Sequence, residues 1–354
     1  MKETRVKEGF LMIAIVKTKE GNGNVSLLDV EEPMIKPNEV KIEVMSAGIC
    51  GTDIKIYHGD AWSNPPVILG HEYSGIVVET GAAVTSLKPG DRVVSETAQI
   101  ICGHCYYCNT SNPLMCPSRL SIGYGVNGAF TSHCVVREGI VHKLPDTISF
   151  DEGALCEPSA VAVHAVYDSV RLYPTDVAVI MGPGPIGLLV AQIVKGFGCT
   201  TIVSGMDLDI ERLATAKTLG ADYVVNVGER SLKEFVDQLT DGMGADVVYD
   251  CTGAKQAINE GLNCLKKMGK MVQVGLTKQT VEIEYGLLTQ REISIHGTFG
   301  HNWKSWETAI KLIEGKKLNV NSLITHHFKL SEWEKAFKTA EEQQGIKLLF
   351  HPQV

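Results

Sequence analysis

The feature that most constrains this chain is an unbroken apolar run, Val177-Ala178-Val179-Ile180-Met181, that passes straight into Gly182-Pro183-Gly184-Pro185-Ile186-Gly187. A helical pattern, Leu188 to Phe197, follows at once. A continuous apolar run suits a parallel strand covered on both faces. Three glycines at this spacing say little alone. Between a strand and a helix they say much more, because the helix N-terminus offers free N–H groups and partial positive charge to a pyrophosphate. Thr201-Ile202-Val203 reads as the next strand, and Asp207 lies 20 residues past Gly187. That is where a carboxylate hydrogen-bonds the adenosine ribose. A carboxylate there repels a 2′-phosphate, so NAD is favoured over NADP, with Asp209 a neighbouring competitor for the role. Further strands at 223–225, 247–250 and 271–274 alternate with helices around 231–239, 256–266 and 287–291. The expectation is an α/β fold with a doubly wound parallel sheet.

One such sheet does not fill 354 residues, and two domains are expected. A net charge of -8 argues against nucleic acid or an anionic membrane as partner, since both need a concentrated basic face. No apolar run approaches the roughly 20 residues of a membrane helix. Phe10 to Val16 follows Lys2, Arg5 and Lys7, which invites comparison with a signal peptide. Acidic residues before it, Lys17 and Lys19 after it, and the lack of a small-residue cleavage site favour a first β-strand. Residues 1–11 read as an extension with little structural duty.

From Met12 to about Val44 short alternating runs broken by Gly-Asn and Pro-Asn pairs predict strands and hairpins. Pro65-Pro66 forces extended backbone before Val67-Ile68-Leu69, placing His71 at a strand end. Cys50, His71 and Glu72 are ligand types that zinc takes, and Cys50-Gly51-Thr52-Asp53 and Gly70-His71-Glu72 keep them within a short span. A second group, Cys102, Cys105, Cys108 and Cys116, has the spacing C-x2-C-x2-C-x7-C. Four thiolates close a tetrahedral zinc shell with no open position, so this is a structural site. Four buried thiols are the plainer alternative, and a nucleic-acid zinc ribbon lacks its basic flank. Clustered cysteines in a chain without an export signal fit metal rather than disulfides, and the cytoplasm. Between Asp151 and Val166 apolar residues take helical spacing, with Glu157-Pro158 at the helix start.

Gly70-His71-Glu72, two residues, Gly75, five residues, Gly81, two residues and Val84 match the signature of zinc-dependent medium-chain alcohol and polyol dehydrogenases. The chain resembles that family from about Met12 to Phe350, most closely its sorbitol, threitol and threonine dehydrogenase branch. The resemblance implies a mostly-β GroES-like catalytic domain over 12–158 and 298–354, with a structural-zinc lobe at about 99–120. It implies a Rossmann NAD-binding domain over 159–297. It also implies a reaction: reversible oxidation of a secondary alcohol of a polyol to a ketone, with hydride passing to NAD. Two zinc ions per chain are expected, one catalytic and one structural.

By the same resemblance Cys50 and His71 ligate the catalytic zinc, with Glu72 and Glu157 competing for the remaining protein position. Asp53 holds the His71 imidazole. Thr52 accepts the alcohol proton, and Lys55 stands where many relatives carry the histidine that ends the proton relay. Tyr57, Phe130, Glu157 and His301 match substrate-pocket positions. Sorbitol dehydrogenases carry an arginine for the polyol chain where this sequence has Gly300-His301-Asn302-Trp303. Gly182, Gly184, Pro185, Ile186, Gly187, Asp207 and Arg212 match the dinucleotide site. Val274, Gly275, Leu276, Thr298, Phe299 and Gly300 match the nicotinamide pocket, and Lys347 the family's late basic residue near the cofactor phosphates. A solvated surface lysine is the plainer reading of Lys347. The branch is more often tetrameric than dimeric.

L-Threonine 3-dehydrogenase and 2,3-butanediol dehydrogenase share Cys50, His71 and the Glu157 position and are the competing substrate readings. A zinc-free NADPH quinone reductase would not be expected to keep Cys50, His71, Glu72 and the four cysteines. A non-catalytic nucleotide-binding protein would predict a damaged relay, and Thr52 is intact.

Overall fold

The computed structural model describes residues 11–353, so residues 1–10 of the expected extension and Val354 lie outside the described residues. By internal contacts the chain divides into two units, one running to Glu157 and resuming at Ile324, the other Pro158–Leu323. The change at Glu157 lies one residue from the expected boundary at 158. The return at Ile324 comes well after the expected residue 298. The segment between belongs to the second unit. Its helix, Trp303–Glu314, buries Trp306, Ala309, Ile310 and Ile313. Gln192 then clasps the Asn319 backbone from both sides, accepting its N–H at 2.8 Å and donating to its carbonyl at 3.3 Å.

The first unit is built around the strand Glu39–Gly48. It is flanked by Glu72–Thr80 and Lys347–Phe350 in a seven-stranded sheet completed by Arg92–Ser95, Val141–Lys143, Ile324–Phe328 and His133–Arg137. A hairpin, Leu11–Lys17 with Val25–Glu31, forms a second sheet with Val67–Ile68. Strand Glu39–Gly48 alternates buried and half-buried residues, and Val40, Ile42 and Val44 pack into a core shared with Leu69, Phe130, Phe337 and Phe350. One local expectation changes, and one helix is added. His71 precedes a strand that Glu72 opens, so it does not end one. The stretch after Cys50 is a helix, Gly51–Tyr57, with Asp53 in its first turn accepting the Cys50 N–H at 2.9 Å. A carboxylate three residues after the cap is a start signal that the β-rich surroundings obscure.

The second unit holds a six-stranded parallel sheet. In spatial order its strands are Tyr223–Asn226, Thr200–Gly205, Val177–Met181, Ala245–Asp250, Leu265–Gln273 and Ser294–Gly297. In chain order that is 3-2-1-4-5-6, the doubly wound arrangement of dinucleotide-binding sheets. Val179, Ile202, Val225 and Val248 are fully buried along its middle, as apolar runs covered on both faces require.

Candidate active site and nucleotide loop

Two side-chain clusters in the first unit have the composition of zinc sites. The ligand atoms of Cys50, His71 and Glu72 all lie within 4.8 Å of one another. Cys50 stands at the start of helix Gly51–Tyr57, while His71 and Glu72 sit where the chain enters its strand. Behind them Asp53 is fully buried. One of its oxygens takes the Cys50 N–H and the other lies 3.7 Å from His71 Nδ1. A carboxylate on one ring nitrogen leaves the other free for metal and fixes the ring's tautomer and direction. Asp53 Oδ1 and His71 Nδ1 are buried with no other hydrogen bond, which suits a pair tightened by an ion on the far side of the ring. Burial favours uncharged imidazole, yet Asp53 and Cys50 outweigh it and raise His71 well above its ordinary value.

Glu72 is 1% exposed and Lys347 2% exposed, which excludes the surface reading of Lys347. Lys347 Nζ donates to Glu72 Oε2 at 2.5 Å and to the Ile49 carbonyl at 3.0 Å. Register explains the pairing. Gly48 lies opposite Glu72 on one side and Leu349 on the other. A Cβ at Gly48 would fall 2.4 Å from Glu72 Oε2, so the absent side chain makes room for that carboxylate. Glu157 is not a member of the three-residue cluster. It is 9% exposed, near the start of helix Cys156–Tyr167. Burial, with Glu72 and Asp53 adding to it, raises its carboxyl against the pull of His71 and Lys347. Three protein ligands with one open tetrahedral position is the pattern of catalytic zinc, and these residues fit it.

The remaining sequence candidates of this unit divide. Thr52 is half-buried and Lys55 exposed on the helix that Cys50 opens. Tyr57 closes that helix, its ring edge-on to Phe337 at 5.8 Å and Trp333 at 6.2 Å. Phe130 corrects the expectation of a substrate wall. It is 0% exposed, locked against Phe350 at 4.9 Å and Phe337 at 6.5 Å, and gives no surface to a substrate.

Cys102, Cys105, Cys108 and Cys116 converge in the lobe beside helix Tyr106–Asn109. Their sulfurs are separated by 3.5 Å (Cys105–Cys108), 3.6 Å (Cys116–Cys102) and 3.9 Å (Cys102–Cys108), and none is in a disulfide. Tetrahedral zinc with Zn–S near 2.3 Å places its sulfurs about 3.8 Å apart. Backbone N–H groups of Cys102, Cys105 and Cys108 point at the sulfurs of Cys116, Cys102 and Cys105. Backbone N–H donors, that of His104 first, lower the Cys102 thiol to about 6. His104 stays outside, its Nδ1 on the Cys102 carbonyl at 2.8 Å.

In the second unit the glycine loop joins strand Val177–Met181 to helix Pro185–Gly196. Gly182 has φ +91°, and a Cβ on Gly187 would lie 1.9 Å from the Gly182 carbonyl oxygen. Gly184 caps the helix and Pro185 and Ile186 begin it. A Cβ at Gly184 would meet nothing within 4 Å, leaving open space where a phosphate would rest. Beyond the second strand the two competing carboxylates separate. Asp207 is exposed, its Oδ1 accepting from Asn226 Nδ2 at 2.8 Å. Asp209 is buried and turned back to the Met206 N–H and Arg212. Of the two, only Asp207 has an exposed carboxylate.

Val274, Gly275 and Leu276 follow the fifth strand, and Thr298, Phe299 and Gly300 the sixth. The residue that shapes this rim is one that sequence reasoning passed over. Asp250, 0% exposed at the end of the fourth strand, accepts from Thr252 N, Thr252 Oγ1, Gly253 N and Gln273 Nε2. Its carbonyl takes the N–H groups of Val274 and Gly275. The Asp-Cys-Thr-Gly turn was the available signal. His301 is 4% exposed and edge-on to Trp306 at 5.3 Å.

Known families match both units. A model of the alcohol dehydrogenase GroES-like domain covers residues 36–146, and one of zinc-binding dehydrogenases covers 185–315. The chain is 40% identical over 342 residues to a sorbitol dehydrogenase of Halalkalibacterium halodurans, with 96% of this chain and 99% of that protein covered. This chain belongs to the zinc-type medium-chain dehydrogenases. Within that family it is also 40% identical to a D-arabitol-phosphate dehydrogenase of Enterococcus avium, covering 96% of this chain and 97% of the other. A solved zinc-binding dehydrogenase of Sinorhizobium meliloti, bound to NADP, superposes with a TM-score of 0.91 at 29% identity, covering 97% and 100% of the two chains. In this medium-chain dehydrogenase the first unit is thus the GroES-like domain and the second the nucleotide-binding one. No helix among the described residues is long and apolar enough to cross a membrane.

Proposed function

We propose that this enzyme is an NAD-dependent polyol dehydrogenase with two zinc ions per chain, reversibly oxidising a secondary alcohol of a sugar alcohol to a ketone. The observation that carries the reading is the convergence of Cys50, His71 and Glu72 over a buried Asp53, in a chain 40% identical to a sorbitol dehydrogenase. When bound, zinc supplies Lewis acidity at the alcohol oxygen and the nicotinamide takes the hydride. Cys50, His71 and Glu72 hold the first of these groups, and Asp53 keeps the imidazole aimed. Lys347 neutralises Glu72 from behind, so that the carboxylate is held without being drawn away. Thr52 takes the alcohol proton at its hydroxyl, which can donate and accept at once. Lys55, exposed one turn on, marks the way out to water. Glu157 acts from beside the ligands, on water or substrate.

A second reading has its own support. The chain is equally identical to a D-arabitol-phosphate dehydrogenase, which supports a phosphorylated polyol as much as a free one. A NAD-reduction panel of sorbitol, xylitol, threitol, pentitol and hexitol phosphates, L-threonine and 2,3-butanediol separates the readings. Turnover of a free polyol is expected. Turnover confined to phosphorylated polyols supports the second reading, and turnover confined to threonine or butanediol overturns the substrate class.

Asp207 supports NAD, although the Sinorhizobium protein holds NADP. Asp207→Ala is expected to raise KM for NAD about tenfold, since a hydrogen bond to a charged group contributes roughly 1.5–3 kcal/mol. It should leave or improve use of NADP. An unchanged preference would remove Asp207 from the ribose. The same reading makes the enzyme a cytoplasmic homotetramer. Ten free thiols support a reducing compartment, and sedimentation of the purified protein is expected to give four chains per particle, not two.

A further inference from the structure

We propose that Asp151, His327 and His351 form a third metal site in the first unit, taking a divalent first-row transition ion, zinc foremost. Their ligand atoms lie within 4.8 Å of one another. The three residues come from distant parts of the chain, and the fold brings them together. His327 lies on strand Ile324–Phe328, which pairs in parallel with Lys347–Phe350. The His351 N–H donates to the Phe328 carbonyl at 2.9 Å, extending that pairing and setting the two imidazoles side by side. Asp151 stands in the first turn of helix Phe150–Ala154, anchored at its start by Ser149 and Glu152.

The spacing is that of a coordination shell. His327 Nδ1 and His351 Nε2 are 3.4 Å apart. The carboxylate reaches both, with Oδ1 at 2.8 Å from His351 Nε2 and Oδ2 at 3.8 Å from His327 Nδ1. Tetrahedral zinc with Zn–N near 2.05 Å separates its ligand atoms by about 3.3 Å. Two ring nitrogens that face each other can share only one proton between them, whereas a cation meets both lone pairs and the carboxylate together. The side chains are 31% (His351), 47% (His327) and 30% (Asp151) exposed, which gives an ion a path in and leaves water a place in the shell. Two imidazoles and one carboxylate favour zinc, nickel or copper over calcium or magnesium. A bound ion would tie the chain beyond the last strand to helix Phe150–Ala154. It shares no ligand with the Cys50 or four-cysteine clusters.

The test uses the full chain, first dialysed to constant zinc content, then titrated with Ni2+ alone in equilibrium dialysis. Wild-type protein is expected to take up one further ion per chain. The His327→Gln/His351→Gln double variant should bind that ion weaker by about tenfold or more, and Asp151→Asn should weaken it as well. In parallel, hydrogen exchange of residues 347–353 should slow on nickel addition in the wild type and not in the double variant. Equal uptake by all three proteins, or no uptake by the wild type at millimolar nickel, would show that the three side chains pair only by hydrogen bonds and would overturn the site.

Discussion

Cys50→Ser is expected to lower kcat/KM for the best alcohol by about a thousandfold while leaving the fold intact. Zinc's Lewis acidity is worth several kcal/mol, and each 1.36 kcal/mol is tenfold in rate, so roughly 4 kcal/mol gives that loss. Serine keeps the size of the side chain and its place at the helix start, but its hydroxyl is not a thiolate and holds zinc poorly. The four cysteines of the lobe share no ligand with this cluster. Metal analysis should therefore show one zinc ion per chain fewer than the wild type, with NAD binding unchanged. Full activity in the serine variant, or loss of both ions together, would sink the assignment of Cys50.

The second large effect is expected from Asp250→Ala, which lies far from any zinc ligand in sequence. Its carboxylate is fully buried and satisfies four donors. Removing it leaves the N–H groups of Thr252 and Gly253 and the Gln273 amide without their acceptor. Each such buried group costs about 1–3 kcal/mol, and the sum after relaxation should be about 4 kcal/mol. Denaturant titration followed by a probe in the second unit should show the lower midpoint, together with weaker NAD binding as the turns at 250–253 and 274–276 loosen. Asp250→Asn keeps one acceptor and should fall between the two. Wild-type stability in the alanine variant would mean that the turn is held by the backbone alone.

The sequence determined whatever rests on neighbours along the chain. An apolar run ending in Gly182, Gly184 and Gly187 can turn into a helix in few ways, and the sheet around it is parallel and doubly wound as expected, with a sixth strand, Ser294–Gly297, that the pattern did not show. The four cysteines within 15 residues could hardly avoid meeting, and they do. Cys50, His71 and Glu72 stood out because few residue types bind zinc, and the fold brings their ligand atoms within 4.8 Å of one another. Short helices were harder. Gly51–Tyr57 has only 7 residues, too few for a periodic pattern to stand out from the strands around it.

Tertiary structure decided the rest, because those questions turn on contacts between distant residues. Composition could not choose between Glu72 and Glu157. In the fold Glu72 is the one that lies with Cys50 and His71: Gly48 sits between the strands of Glu72 and Lys347 and leaves space for a carboxylate paired with a lysine 275 positions away. An aromatic residue reads the same on a pocket wall or in a core, and only the packing of Phe337 and Phe350 puts Phe130 in the core. The boundary near residue 298 moved to 323 because Gln192 holds Asn319 to the second unit. Asp151, His327 and His351 carry no local signal at all. They meet because two parallel strands and a helix start converge, and a sequence written in one dimension does not show which side chains a folded sheet sets side by side.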